Sequence, residues 1–211
     1  MSDAVLPIGE ADELLSVPRE LPVGTVGVHA SGWWGMWCVI ATESALFAYL
    51  LMTYLYLDLQ ARGSWPPGGP PSLMLALPNT FVLIASSVAV GLAESAMRTG
   101  SRMRATIGLL CGAALGIIFV GIQLLEWKRK PFSFESELYG SVYFTVTGFH
   151  MAHVVVGILV LLALALWSGL GYFDRVRHGP VSIGSVYWHF VDVVWLFVFA
   201  MLYLAPHARS L

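Results

Sequence analysis

The stretch Tyr187-Trp188-His189-Phe190-Val191-Asp192-Val193-Val194-Trp195-Leu196-Phe197-Val198-Phe199 sets a histidine and an aspartate three residues apart in an otherwise apolar, aromatic run. At that spacing both side chains leave the same face of a helix. A second pair, His150 and His153, stands in Gly148-Phe149-His150-Met151-Ala152-His153-Val154-Val155-Val156-Gly157. An ionisable group at bilayer depth costs roughly 2.5–3.5 kcal/mol. All four residues are therefore expected to face inward, toward other helices or another subunit, with His189 and Asp192 forming a hydrogen-bonded pair.

Composition supplies the setting for these pairs. Hydrophobic residues make up 57% of the chain and charged residues 11%, and the mean hydropathy is +0.75. That balance belongs to a membrane protein and points to no nucleic-acid partner. Five apolar runs are long enough to cross roughly 30 Å of hydrocarbon at about 1.5 Å per residue. The expected fold is an all-α integral membrane bundle of five transmembrane helices, with spans near 33–57, 73–97, 104–126, 139–168 and 183–205.

Residues 1–32 read as a polar N-terminal arm and 33–211 as the five-helix domain. The first thirty residues carry five carboxylates, three prolines and one arginine, without a basic leader or an apolar run, which argues against a signal peptide. Trp65-Pro66-Pro67-Gly68-Gly69-Pro70-Pro71 is expected to form a stiff turn between the first two spans. Cys38 and Cys111 each stand alone in an apolar span and are read as small buried hydrophobes.

With the N-terminus inside, the inner loops hold Arg19, Arg98, Arg102, Arg104, Arg175 and Arg177, and the outer ones Arg62, Lys128, Arg129, Lys130 and Arg209. A difference of one charge decides nothing by itself, but the short loop 98–104 is purely basic, which leans toward a cytoplasmic N-terminus. Glu135 and Glu137 partly offset the outer cluster, which strengthens that lean.

Glu43 lies in mid-span without a lysine or arginine within two turns, so its carboxyl needs either a proton or polar partners. It is read as a proton-handling or regulatory group, or else as a hydrogen-bonding lock between two helices. Gln123 and Glu126 share a face at the end of the third span, where Glu126 is expected to be solvated or paired with the adjacent basic cluster. Asn79 and Glu94 flank the second span, and Glu94 is spaced to pair with Arg98.

Two readings of the histidines stand. His150, His153 and His189 lie on two spans that could face each other across a haem or metal, or they serve polar packing within the bundle or against a partner, His150 and His153 sitting one turn into a helix after Gly148. No G-x-S-x-G, P-loop or H-E-x-x-H context occurs.

Taken together, these residues resemble subunit III of the haem–copper oxidases, from about residue 33 to 205. Trp65-Pro66-Pro67, Pro78-Asn79-Thr80-Phe81-Val82-Leu83-Ile84-Ala85-Ser86-Ser87, Pro131-Phe132, Tyr139-Gly140-Ser141, Thr147-Gly148-Phe149-His150 with His153, and Tyr187 to Leu196 are similar to that family's signatures in order. Glu43 matches the buried carboxylate of the family's third helix, and Glu126, after Gln123, the acid two helices later. The long family form has seven helices, so this chain resembles the short bacterial form without the first two, and the lipid-holding cleft of the long form is not expected in the same shape.

The resemblance implies a non-redox subunit with no haem or copper of its own, packed against a catalytic subunit I that carries haem and copper. Subunit II, with copper, would accept electrons from cytochrome c, and phospholipids would surround the complex. Such subunits sustain proton uptake, protect subunit I during turnover and offer oxygen a lipid-side route, here in an aa3-type oxidase of a bacterial plasma (inner) membrane. A quinol oxidase or a nitric oxide reductase complex is the near alternative, and a self-sufficient membrane haem or metal protein the remote one.

Overall fold

The computed structural model describes residues 31–61, 65–66, 69–135, 138–175 and 177–209. Residues 1–30 of the expected arm (1–32), together with Arg62, Pro67, Gly68 and Glu137, lie outside the described residues, while Ser31 and Gly32 already belong to the first helix.

Five long helices cross the bundle: α1 (Ser31–Gln60), α2 (Leu73–Arg98), α3 (Arg102–Arg129), α4 (Leu138–Gly169) and α5 (Gly179–Phe199). α5 runs on through a π-helical turn, Ala200–Leu204, into a last α-helical turn, α6 (Ala205–Arg209). Five spans of 26 to 32 residues are long and apolar enough to cross a membrane, and no strand occurs among the described residues. The chain is thus an all-α, multi-pass membrane protein. Each helix overshoots its apolar run by one to four residues, because the helical hydrogen-bond ladder continues into the polar interface. α5 starts four residues before the expected 183, where Pro180 occupies the first turn, a position at which its fixed φ and missing N–H carry no penalty.

α2 and α3 form the tightest helical hairpin. Ser72 caps α2 by accepting from the Met74 N–H at 3.3 Å. At its other end the Gly100 N–H donates to Met97 O and the Ser101 N–H to Ala96 O, both at 2.9 Å. Gly100 takes φ +85°, the left-handed conformation that this helix ending requires. Along α3, Gly108, Gly112 and Gly116 recur every four residues against α2 and its neighbours. A Cβ at Gly108 would lie 2.8 Å from Ala93 Cβ, and one at Gly112 2.5 Å from Val90 Cγ2. Between apolar helices in lipid, contact rather than water exclusion drives association, so this stripe sets how closely the backbones approach.

The core is organised around α5. Trp188, wholly buried, reaches into a notch made by Gly116 of α3 and Gly157 of α4, where a Cβ at either position would fall 2.7 Å from its ring. Its indole N–H donates to Ser86 Oγ of α2 at 3.1 Å. Two turns on, Trp195 donates to Thr80 Oγ1 at 3.0 Å. Both indole donors are satisfied inside the bundle, as burial demands.

Two expectations are corrected here. Cys38 and Cys111 are exposed on the outer face of the bundle rather than buried. α4 begins at Leu138, so His150 lies some three turns inside the helix, not one turn past its start at Gly148.

Candidate functional site

Four groups of polar side chains stand out among the described residues of the spans. In the first, Glu43 of α1 meets His153 of α4, with Oε2 and Nε2 2.9 Å apart. The imidazole is oriented by its other nitrogen, 2.7 Å from the carbonyl of Phe149. A carbonyl only accepts, so Nδ1 carries hydrogen, and Nε2 bears a second one only in the imidazolium. The pair therefore shares one proton, held either as a carboxylic acid donating to Nε2 or as an imidazolium donating to a carboxylate. Glu43 is 31% and His153 16% exposed at the side chain, and Phe47 packs edge-on to the imidazole at 5.0 Å. The arrangement can hold and move a proton between two helices near mid-span.

The second group lies between α2 and α5. His189 does not pair with Asp192 as expected: its Nδ1 stands 2.6 Å from Ser87 Oγ. Asp192 is beside Ser87, yet neither carboxyl oxygen has a partner at bonding geometry. Three residues apart on one helix they are only neighbours, whereas Ser87 on the facing helix offers a donor and acceptor within reach.

The third group is a buried ion pair. Glu126 accepts from Lys130 Nζ at 2.8 Å, with both side chains nearly inaccessible. Tyr203 O–H donates to the same carboxyl oxygen at 2.7 Å. Since that hydrogen is used, the 2.6 Å contact between Tyr143 and Tyr203 runs from Tyr143 to Tyr203. Lys130 also lies over both rings, 5.0 and 5.2 Å from their centroids, which favours the cation. Glu126 is ion-paired as one expectation had it, but within the bundle rather than in solvent. Tyr203 belongs to the π-helical turn, whose wider register brings its hydroxyl to Glu126.

In the fourth group Asn79, Gln123 and His150 are almost wholly buried on α2, α3 and α4. Asn79 lies in the core rather than flanking its span, and its Nδ2 donates to the Phe119 carbonyl at 3.2 Å. His150 stacks on Trp195 at 5.0 Å and meets Phe47 and Phe119 edge-on. Aromatic rings thus enclose His150, while His153 and His189 spend a nitrogen each on Phe149 and Ser87. Among the described residues no three His, Cys, Asp or Glu side chains converge as a ligand set.

A family model described as cytochrome c oxidase subunit III matches residues 23–206. The chain belongs to the cytochrome c oxidase subunit III family. It is 34% identical to cytochrome c oxidase subunit 3 of Triticum aestivum over 177 residues, covering 81% of this chain and 67% of that protein. The subunit 3 of Synechocystis is 35% identical, over 81% of this chain and 74% of its own length. That of Drosophila melanogaster is 34% identical, over 85% and 70%.

This subunit III chain is thereby a haem–copper oxidase subunit. Its two resemblance-marked carboxylates, Glu43 and Glu126, turn out to be held by His153 and Lys130. Five polar partners were not singled out from the sequence as site residues: Thr80, Ser86 and Ser87 of α2, Tyr143 of α4 and Tyr203 of the π-helical turn. Their signal was hydroxyl-bearing residues recurring inside apolar runs, which need partners when no water is at hand. Glu94 pairs with Arg98 at 2.6 Å as spaced.

Proposed function

We propose that this chain is the non-redox subunit III of an aa3-type terminal oxidase that reduces oxygen to water while pumping protons. It packs against the catalytic subunit I, which carries haem and copper, beside a copper-bearing subunit II that takes electrons from cytochrome c. The complex sits among phospholipids in a bacterial plasma membrane, with the N-terminus of this chain cytoplasmic. Its role is to support proton uptake, turnover stability and oxygen access of subunit I.

The observation that carries this reading is the Glu43–His153 pair, with Oε2 and Nε2 2.9 Å apart between two helices long and apolar enough to cross a membrane. Such a pair can take up and pass on a proton, which suits a subunit that tunes proton delivery rather than oxygen chemistry. The test is Glu43→Gln in the assembled oxidase. Glutamine keeps a hydrogen bond to His153 but cannot exchange the proton. Oxygen reduction and the haem spectrum are expected to persist, with a lower proton-to-electron ratio or faster inactivation during turnover. Wild-type values in both would reduce Glu43 to a packing group, and an altered haem spectrum would place it in the oxygen chemistry instead.

A further inference from the structure

A cleft of about 270 Å3 opens on the outer face of the bundle between α2 and α5. Its rim is apolar and exposed: Ile84, Val193 and Leu196. Its floor is not, because Ser87, His189 and Asp192 line it. Asp192 is only 7% exposed, and neither carboxyl oxygen meets a partner at bonding geometry although the Ser87 hydroxyl stands beside it. His189 spends Nδ1 on Ser87, while its Nε2 has no partner among the described residues and passes 4.0 Å from the position a Cβ would take at Gly91.

The depth of this polar floor limits what can reach it. Asp192 lies about 13 residues into a span running from Gly179 to Ala208, or roughly 20 Å from its start at 1.5 Å per residue. Lipid headgroups sit about 15 Å from the bilayer centre and do not approach it. An acyl chain fits the rim but leaves the polar atoms unsatisfied. A charged side chain from outside would pay the cost of mid-bilayer burial. A neutral hydroxyl or amide pays little and both donates and accepts, so it matches the Ser87–His189–Asp192 set in either tautomer of the histidine.

We propose that this cleft seats a transmembrane helix of a partner subunit, which inserts one hydroxyl or amide side chain onto His189 above Asp192. The identity of the partner as an oxidase subunit rests on the function proposed above; the chemistry of the cleft does not. Helix docking through small apolar contacts plus one polar bond is the usual economy of membrane interfaces, and the cleft offers both.

The experiment uses the full chain in native membranes with its complex assembled. A photo-crosslinking residue is placed at Ile84 or Val193 on the rim, and, as controls, at Ile107 of α3 and Leu166 of α4, which are at least as exposed. Rim positions are expected to yield a protein adduct about tenfold above the controls, mapped by mass spectrometry to a helix with a hydroxyl or amide residue at mid-span. In parallel, Val193→Trp fills the cleft from its exposed rim without touching the polar floor. Retention with the complex in detergent should fall about tenfold, the weight of one buried polar contact, while the thermal midpoint of the isolated chain stays that of wild type. Adducts to lipid alone, an adduct to a helix without such a residue, or full retention of the Val193→Trp chain would overturn the proposal. An adduct to a suitable helix of a protein that is not an oxidase subunit would uphold the cleft and refute the oxidase reading.

Discussion

Glu43 Oε2 and His153 Nε2 stand 2.9 Å apart although 110 residues separate them in the chain. The contact joins α1 to α4, a pair of helices that otherwise touch little, so it ties down the least packed span of the bundle. His153→Ala is expected to loosen α1 by about 0.5–1.5 kcal/mol, and Glu43→Gln by less because the amide keeps the bond. Thermal unfolding of the two single variants and the double variant in detergent measures the coupling. Additive losses would mean that the two side chains do not support each other.

The Trp188 notch predicts an asymmetry among glycines. Gly157→Ala puts a methyl 2.7 Å from the indole ring and should cost about 1–3 kcal/mol through forced repacking. Gly121→Ala meets nothing within 4 Å and should be neutral or stabilising by up to about 1 kcal/mol, the helix-propensity gain. Equal midpoints for the two variants would contradict the notch.

Breaking the buried pair at one end should be expensive. Lys130→Met leaves the Glu126 carboxyl buried without its cation, at a cost of about 3–5 kcal/mol. Lys130→Met combined with Glu126→Leu should recover much of that loss, since an apolar pair of similar volume avoids desolvation. Tyr203→Phe removes one donor and should cost about 1 kcal/mol. Denaturation of the four chains, compared side by side, decides the order.

The indole anchors give a sharper test of polar satisfaction. Thr80→Val keeps the shape of the side chain but orphans the Trp195 N–H, and Ser86→Ala does the same to Trp188. Each is expected to destabilise by about 1–3 kcal/mol. Near-ultraviolet circular dichroism and thermal midpoints report both; a silent Thr80→Val would show that the indole finds another acceptor.

The pattern of apolar runs alone was enough for five helices and for their approximate ends, because a chain in hydrocarbon must satisfy its backbone within each segment. Pro180 and Gly100 then moved or sharpened those ends by local geometry. The inward direction of His150 and Asp192 was equally legible, since a polar group facing lipid is penalised wherever it lies.

What partners those groups take was settled only by the tertiary structure. His189 and Asp192 looked paired from their spacing, yet Ser87 on another helix takes His189; Glu43 lacked a cationic neighbour in sequence, yet His153 reaches it across the bundle. The same physics explains the cysteines. In water an apolar residue belongs inside, but in lipid both faces of a helix are apolar, so hydrophobicity cannot tell the inner face of α1 or α3 from the outer. That choice falls to shape and hydrogen bonds between helices: the glycines that let α3 close on its neighbours, and the hydroxyls of α2 that receive the tryptophans of α5.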